Sequence, residues 1–332
     1  MTKIGIKDIA AQAGVSIATV SHAFRNPGRV SDKTRKKVLK AAKNLGYTPN
    51  RLASNLRTAK SGNIVVIIPD VADSYNSKII KAIEQVAHQR GYSVLLGDTQ
   101  GSAERAREFA QMTSSRQADG IILMSHILPF DIDAAEFLPP MVNGSEPTGC
   151  KGVPTVSIDD VQAGMDATMH LIEYGHRDIA VITGDINSTS SRDRLEGFKG
   201  AMSQSGIPLN ESLIEYAGYT LKGGEQAARS LLLQKKRPSA IFCFSDEMAL
   251  GCMYALRQHG FNVPGDISVI GFDNIPMAEY FSPSLTTIAQ PTEDIGGTCA
   301  TILLDLIDGN EPDQLHHILP HKLIVRESTR RL

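Results

Sequence analysis

The sequence predicts an α/β protein in two parts, a small all-helical module at the amino end and a body of two doubly wound parallel-sheet lobes. Three observations predict it. Charge divides sharply at Gly62: residues 1–62 hold 13 Lys or Arg against two acids, and the rest of the 332-residue chain holds 21 against 34, so that +11 is joined to −13. Apolar residues recur at helical spacing between glycines in the first part, whereas the second alternates short aliphatic runs with helical patterns. Finally, the body contains a repeat. "IVVIIPDVADSYNSKIIKAIEQVAHQRGY" from Ile64 and "IAVITGDINSTSSRDRLEGFKGAMSQSGI" from Ile179 align Asp70 with Asp185 and Gly91 with Gly206, at a constant offset of 115 residues.

The module is read element by element. Ile6, Ile9, Ala10 and Ala13 fall at i, i+3, i+4 and i+7, the stripe of a short helix that Gly14 ends. Ser16 is suited to cap a second helix in which Thr19, Val20 and Ala23 turn inward, leaving Ile17, Ala18, Ser21 and His22 outside. Ser31 is a second cap. It opens a third helix with Val38, Ala41, Ala42 and Leu45 on one face and Lys33, Arg35, Lys36, Lys37, Lys40 and Lys43 on the other. Helix, glycine turn, helix, flanked by cations, is the helix-turn-helix arrangement, whose second helix reads the major groove while the cations hold phosphates. A basic face that is merely solvated is the alternative. The DNA contacts expected are Ser16, Ile17, Ala18, Thr19, Ser21, His22, Arg25 and Arg29, with Asn50 and Leu56 beyond them.

"IKDIAAQAGVSIATVSHAFRNPGRVSDKTRKKVLKAAKNLGYTPNRLASNLR" resembles the amino-terminal domain of the LacI/GalR transcriptional regulators, departing from the usual pattern at His22 and Arg25, where that family has Arg and Asn. The resemblance implies DNA binding by residues 1–47. It also implies that residues 48–61, where Leu52, Ala53 and Leu56 fit a helix of about eight residues too short to stand alone, form a hinge helix. In the family that helix pairs with its dimer mate in the minor groove and wedges a leucine, here Leu56, between base pairs. A plain linker with a helical turn is the alternative reading.

Residues 62–332 are expected to form the effector-binding and dimerisation domain, with lobe one about 62–159 and 291–320 and lobe two about 160–290 and 321–332. Ligands of such sheets sit at the carboxyl ends of the strands, which directs attention to the loops 70–76, 125–130, 187–194, 245–246 and 272–274. "FCFSDEMALGCMYAL", "VPGDISVIGFDN", "PSLTTIAQP" and "LIVRESTR" extend the resemblance over the body and imply a periplasmic-binding-protein-like fold. The family's effector residues then fall on Arg194, before "LEGF", and Asp273, in "GFDN". A guanidinium offers fixed donors and a carboxylate accepts from paired hydroxyls. An Arg–carboxylate pair tying the lobes together is the alternative, and Tyr219 is either an aromatic stacked on the ligand or core. Asp70, Tyr75, Asn76, Ser125, Ser245 and Asp246 complete the expected effector set.

"LPFD" at 128, "LPPMV" at 138 and "VPTVSIDD" resemble the cytidine repressor branch, which implies a nucleoside effector; "DSYN" at 73–76 departs from that branch's Asp-Pro-Phe-Phe run and keeps a sugar open. The expected partners are operator DNA, the effector and a second copy of the chain, the last through helices such as "IIKAIEQVA" and "DIGGTCATILLDLI", with a cooperating transcription factor left open. Neither enzyme nor cofactor is expected, because G-x-S-x-G, P-loop and H-E-x-x-H patterns are missing. No metal is expected either: Cys150, Cys243, Cys252 and Cys299 contain no CxxC, and His316, His317 and His321 suit a solvated segment better than a metal site. The amino terminus shows no export signal and "IVVII" is far short of the ~20 apolar residues of a membrane span, so a cytoplasmic protein without membrane contact is expected. A solute-binding protein without DNA activity is the rival from another class, and it would require export.

Overall fold

The computed structural model describes residues 4–25, 27–47, 60–130 and 138–332. The chain forms two compact units, Met1–Lys60 and Ser61–Leu332. Asn50 and Leu56, with the expected hinge helix, lie outside the described residues.

In the first unit, helices α1 (Ile6–Ala13), α2 (Ile17–Arg25) and α3 (Asp32–Asn44) enclose a core of Ile9, Ala10, Ala13, Val20, Ala23, Val38, Ala41 and Ala42. Each boundary has a local cause. Gly14 adopts φ 59°, a left-handed conformation that costs glycine no Cβ clash, and the Val15 N–H closes the helix end by donating to the Ala10 carbonyl at 3.1 Å. The Ser16 hydroxyl accepts from the Thr19 N–H at 3.0 Å and that of Ser31 from the Thr34 N–H at 3.3 Å, satisfying donors that a helix start leaves open.

The second unit contains two six-stranded sheets. The first joins β1 (Asn63–Ile68), β2 (Ser93–Asp98), β3 (Ile121–Leu123), β4 (Met141–Gly144), β5 (Thr155–Ile158) and β11 (His316–Leu319) in the order β2-β1-β3-β4-β5-β11, all parallel. The second joins β6 (Ile179–Thr183), β7 (Ile214–Tyr216), β8 (Ala240–Cys243), β9 (Ser268–Asp273), β10 (Thr286–Ala289) and β12 (Lys322–Ile324) in the order β7-β6-β8-β9-β10-β12, with only β12 antiparallel. Helices α4 (Ser74–Gln89), α5 (Ala103–Ser114) and α11 (Thr292–Ile307) cover the first sheet; α6 (Asp160–Glu173), α7 (Thr189–Gln204), α8 (Leu221–Leu232) and α9 (Asp246–Gln258) cover the second. A short α10 (Met277–Tyr280) follows β9.

The repeat is visible as structure. Helices α4 and α7 are each 16 residues long and start 115 residues apart, and Gly91 and Gly206, which follow them, both have positive φ. Their strands β1 and β6 are buried almost throughout, as strands covered on both faces must be. The chain crosses between the sheets three times: from β5 to α6, from β10 to α11 and from β11 to β12. All four cysteines are buried free thiols. Among the described residues no helix is long and apolar enough to cross a membrane.

The apolar stripes of α4 and α11 pack on each other: Ile79, Ile83, Ala87, Ile295, Cys299 and Leu303 share one core, and Gly296 approaches so closely that a Cβ there would strike the Ile79 carbonyl. One sequence expectation changes. Thr19, expected inside, is half-buried, its hydroxyl 2.8 Å from that of Ser16.

Candidate functional site

On the first unit, Ser16, Ile17 and Ala18 form an exposed apex at the start of α2, with Ser21 and His22 half-buried one turn on. Ile17 is 50% exposed although the core lies within reach of its neighbours, because its position on the helix points away from α1 and α3. An exposed isoleucine, with the Ser16 and Ser21 hydroxyls on the same helix, suits a groove that offers both thymine methyls and base-edge donors and acceptors. The cations follow. Lys33, Arg35, Lys36, Lys37, Lys40 and Lys43 are all exposed on α3, as is Arg29 before it, and the Lys37 ammonium lies beside the Gly14 turn. Arg25 closes α2.

In the second unit a cleft of about 420 Å³ opens between the sheets, within the size range of small-molecule sites. Eight of the nine residues expected to face an effector line it: Asp70, Tyr75, Asn76, Ser125, Arg194, Tyr219, Ser245 and Asp273. The topology explains the convergence, since these side chains follow the carboxyl ends of β1, β3, β6, β7, β8 and β9, where the helices turn back.

Arg194 is the centre of the lobe-two wall. Only 6% exposed, it donates from Nε to Asp160 Oδ1 at 2.7 Å and from Nη1 to the Phe244 carbonyl at 2.6 Å, with its guanidinium 3.6 Å above the Phe272 ring. Burial opposes its charge, but Asp160, with further help from Tyr219 and Asp273, more than restores it and holds the guanidinium above its usual range. Burial pushes Asp160 up to about 6 against the pull of Arg194. Because Asp160 belongs to α6, this pair is internal to lobe two. It does not tie the lobes together.

Asp273 ends β9 at φ 106°, followed by Asn274 at φ 52°, two successive left-handed residues without glycine's freedom. Its carboxyl accepts from Gln290 Nε2 at 2.8 Å, and burial drives it well above the ordinary carboxylate range although Arg194 acts to lower it. Gln290 accepts in turn from the Tyr75 hydroxyl at 3.0 Å, and that hydroxyl also lies 2.6 Å from Ser145. Burial keeps the Tyr75 phenol protonated by raising it well above its ordinary value. Tyr219 packs its ring on Gly184, where a Cβ would collide with it, and its hydroxyl lies 2.5 Å from Ser191; it serves the core and the cleft wall at once.

Asp246 is the residue that does not line the cleft. It is fully buried behind it, where it accepts from the Thr287 hydroxyl at 2.6 Å and the Ile275 N–H at 2.8 Å, while the Asn274 N–H reaches the same Thr287 hydroxyl at 3.3 Å. Burial raises it to about 7. It clamps the left-handed turn instead of presenting oxygens to a ligand. The reason is local: Ser245 caps α9 and faces the cleft, so the next side chain turns toward the sheet.

Polar groups outside the expected set line the cleft or bridge the lobes beside it. Glu146, in lobe one, accepts from the hydroxyls of Ser188 at 2.8 Å and Ser190 at 2.6 Å and from the Ser190 N–H at 3.2 Å, all in lobe two. Lys78 of α4 donates to the Asn274 carbonyl at 3.0 Å, also across the lobes. Asp73 caps α4, accepting from the Tyr75 N–H at 2.8 Å and Asn76 at 3.0 Å, and burial raises it to about 6. Glu146 follows β4 as Asp70 follows β1, so the strand-end rule itself could have found it. Of the clustered histidines, His321 meets Asp166 at 2.9 Å, and the described residues contain no grouping suited to a metal.

Comparison with known proteins bears on both sites. Residues 5–50 match the profile of the bacterial regulatory proteins of the lacI family, and residues 168–329 match the periplasmic binding protein-like domain. The chain is 39% identical to the HTH-type transcriptional repressor CytR of Escherichia coli strain K12, over all of this chain and 98% of that protein. Among solved structures it is similar to the lac repressor dimer bound to operator and the anti-inducer ONPF, with TM-score 0.86 and 28% identity over 99% of this chain and all of that one. It is also similar to the transcriptional regulator CelR in complex with cellobiose, with TM-score 0.73 and 30% identity over 98% of this chain and all of that one.

Proposed function

The chain belongs to the LacI family of bacterial regulatory proteins, and from that premise we propose that it is a homodimeric repressor whose hold on operator DNA is set by a nucleoside such as cytidine in the cleft of Ser61–Leu332. DNA binding and an effector domain follow from the family. The nucleoside is the finer step. The observation that carries it is the composition of the cleft, in which two tyrosine rings, Tyr75 and Tyr219, flank the Arg194–Asp273 polar wall, a pairing of flat apolar surface with fixed acceptors that suits a base joined to a ribose.

In this reading Ser16, Ile17, Ala18, Thr19, Ser21 and His22 contact bases, Arg25, Arg29 and the lysines of α3 hold phosphate, and Asn50 and Leu56 act at the minor groove. Two modules per dimer raise affinity through effective concentration. The effector bridges the lobes, and its differential affinity for open and closed cleft couples to DNA with a reciprocal free energy. No enzymatic step is assigned, and a protein reading DNA in this way acts in the cytoplasm.

The test is calorimetric titration of the full chain with cytidine, cytosine, ribose and cellobiose, with Asp273→Ala in parallel. Cytidine is expected to bind and the variant to lose about tenfold to hundredfold in affinity, the consequence of leaving buried ligand donors unpaired at about 1–3 kcal/mol. Equal affinity in both proteins would move the site elsewhere. A second reading, a sugar effector, is supported by the likeness to the CelR–cellobiose structure and predicts that ribose or cellobiose binds and cytidine does not.

A further inference from the structure

The charges of the cleft are unbalanced. Six carboxyl side chains line it, Asp70, Asp73, Glu146, Asp185, Glu247 and Asp273, against the guanidinium of Arg194, and His126 is the one other lining group able to carry positive charge among the described residues. Arg194 is partly committed: its Nε–H is held by Asp160 and its Nη1 by the Phe244 carbonyl, two of its five N–H donors. Even with Asp273 set aside as the carboxyl that burial neutralises most readily, five carboxylates face one guanidinium.

The second observation concerns the helix ends. In a doubly wound fold the natural seat for a phosphate is the amino end of a helix that follows a strand, where free N–H groups and the helix dipole attract an anion. Helices α4 and α7 both start at this cleft, and both starts are occupied by the protein's own carboxylates. Glu146 crosses from lobe one to accept the Ser190 N–H and the Ser188 and Ser190 hydroxyls at the start of α7. Glu247 crosses from lobe two to face the N–H and hydroxyl of Ser74 at the start of α4, where Asp73 already takes the Tyr75 N–H. Each lobe's leading helix thus has an acid from the other lobe at its start. Glu146 is tethered there by three hydrogen bonds.

We infer that the cleft is an anion-excluding site, selecting an unphosphorylated effector rich in hydroxyl or amino donors and rejecting its phosphate esters, with Asp73, Glu146 and Glu247 as the discriminating residues. This rests on the cleft being the effector site but not on the effector being a nucleoside. A phosphate monoester would bring about two negative charges into a carboxylate-lined cleft whose helix starts already face acids, so discrimination of about a hundredfold or more is expected.

Calorimetry on the full chain tests this with two matched pairs, cytidine against cytidine 5′-monophosphate and ribose against ribose 5-phosphate. Wild type is expected to bind one parent at least a hundredfold more tightly than its ester. Glu247→Gln and Asp73→Asn keep shape and much of the hydrogen bonding while removing charge, and each is expected to narrow the ratio by about tenfold through a gain in ester affinity. Preference for the parent in the ribose pair alone removes the nucleoside reading and upholds anion exclusion. An ester that binds as well as its parent, or a ratio unmoved in both variants, overturns the inference. Silence from all four ligands overturns it together with the effector assignment.

Discussion

Replacing Asp160 by Ala tests how the cleft's one cation is maintained. The Asp160 and Arg194 side chains are 3% and 7% exposed and meet at 2.7 Å, so removing the carboxylate leaves a guanidinium buried with the Phe244 carbonyl and the Phe272 face as its near neighbours. Breaking a buried pair from one side costs about 3–5 kcal/mol, because the surviving charge keeps its desolvation penalty and loses its compensation. At about 2–4 °C per kcal/mol for a unit of this size, the melting temperature should fall by roughly 6–20 °C. Asp160→Asn, which keeps an acceptor for the Arg194 Nε–H, should lose less than half of that. Differential scanning calorimetry of the two variants, beside cytidine titration, reads both consequences. A drop of less than about 2 °C for Asp160→Ala would refute the reasoning, since it would mean that Arg194 finds water or another acceptor at no cost.

Three further outcomes are expected. Burial lowers His170 from 6.5 to about 4, so the fold holds it neutral; its contribution is complete above pH 6.5 and is lost as pH falls from there toward 4, by roughly 3 kcal/mol in all. Urea midpoints from pH 7.5 to 4.5 should therefore fall less steeply in His170→Asn. Gly197→Ala should destabilise by about 1–3 kcal/mol or more, because a Cβ on Gly197 meets the Val161 carbonyl and Met165 N–H of α6 and forces α6 and α7 apart; chemical denaturation checks it. Lys36→Ala should weaken good and poor operators alike and reduce the salt slope of binding by about 1, whereas His22→Arg should change the consensus recovered in a binding-site selection.

The sequence made much of this architecture legible, for physical reasons. Capping and stripe rules depend on residues three or four apart, so Gly14, Ser16 and Ser31 declared the module's boundaries locally. The 115-residue repeat declared two lobes, and the strand-end rule then directed attention to the loops that meet in the cleft. What stayed hidden depends on partners far apart in sequence. Nothing beside Arg194 announces that Asp160, 34 positions away, will hold it, or that Glu146 will cross to Ser190. Asp246 shows the same limit at short range, since whether it faces ligand or sheet is decided by the turn that Thr287 and Ile275 complete. The stripe on α11 was readable as apolar, but its partner was not: the Gly296 approach to Ile79 assigns it to the core.

The three crossovers have a consequence for how the protein is made. Lobe one lacks its edge strand until β11 at His316–Leu319 is synthesised, and lobe two lacks β12 and the closing segment in which Ser328 accepts the Thr286 N–H and donates to the Val269 carbonyl. Each sheet waits for a strand that lies far along the chain from the strand it joins, β11 on β5 and β12 on β10. Until those strands emerge, a growing chain carries two sheets with open edges, and open edges are templates for aggregation.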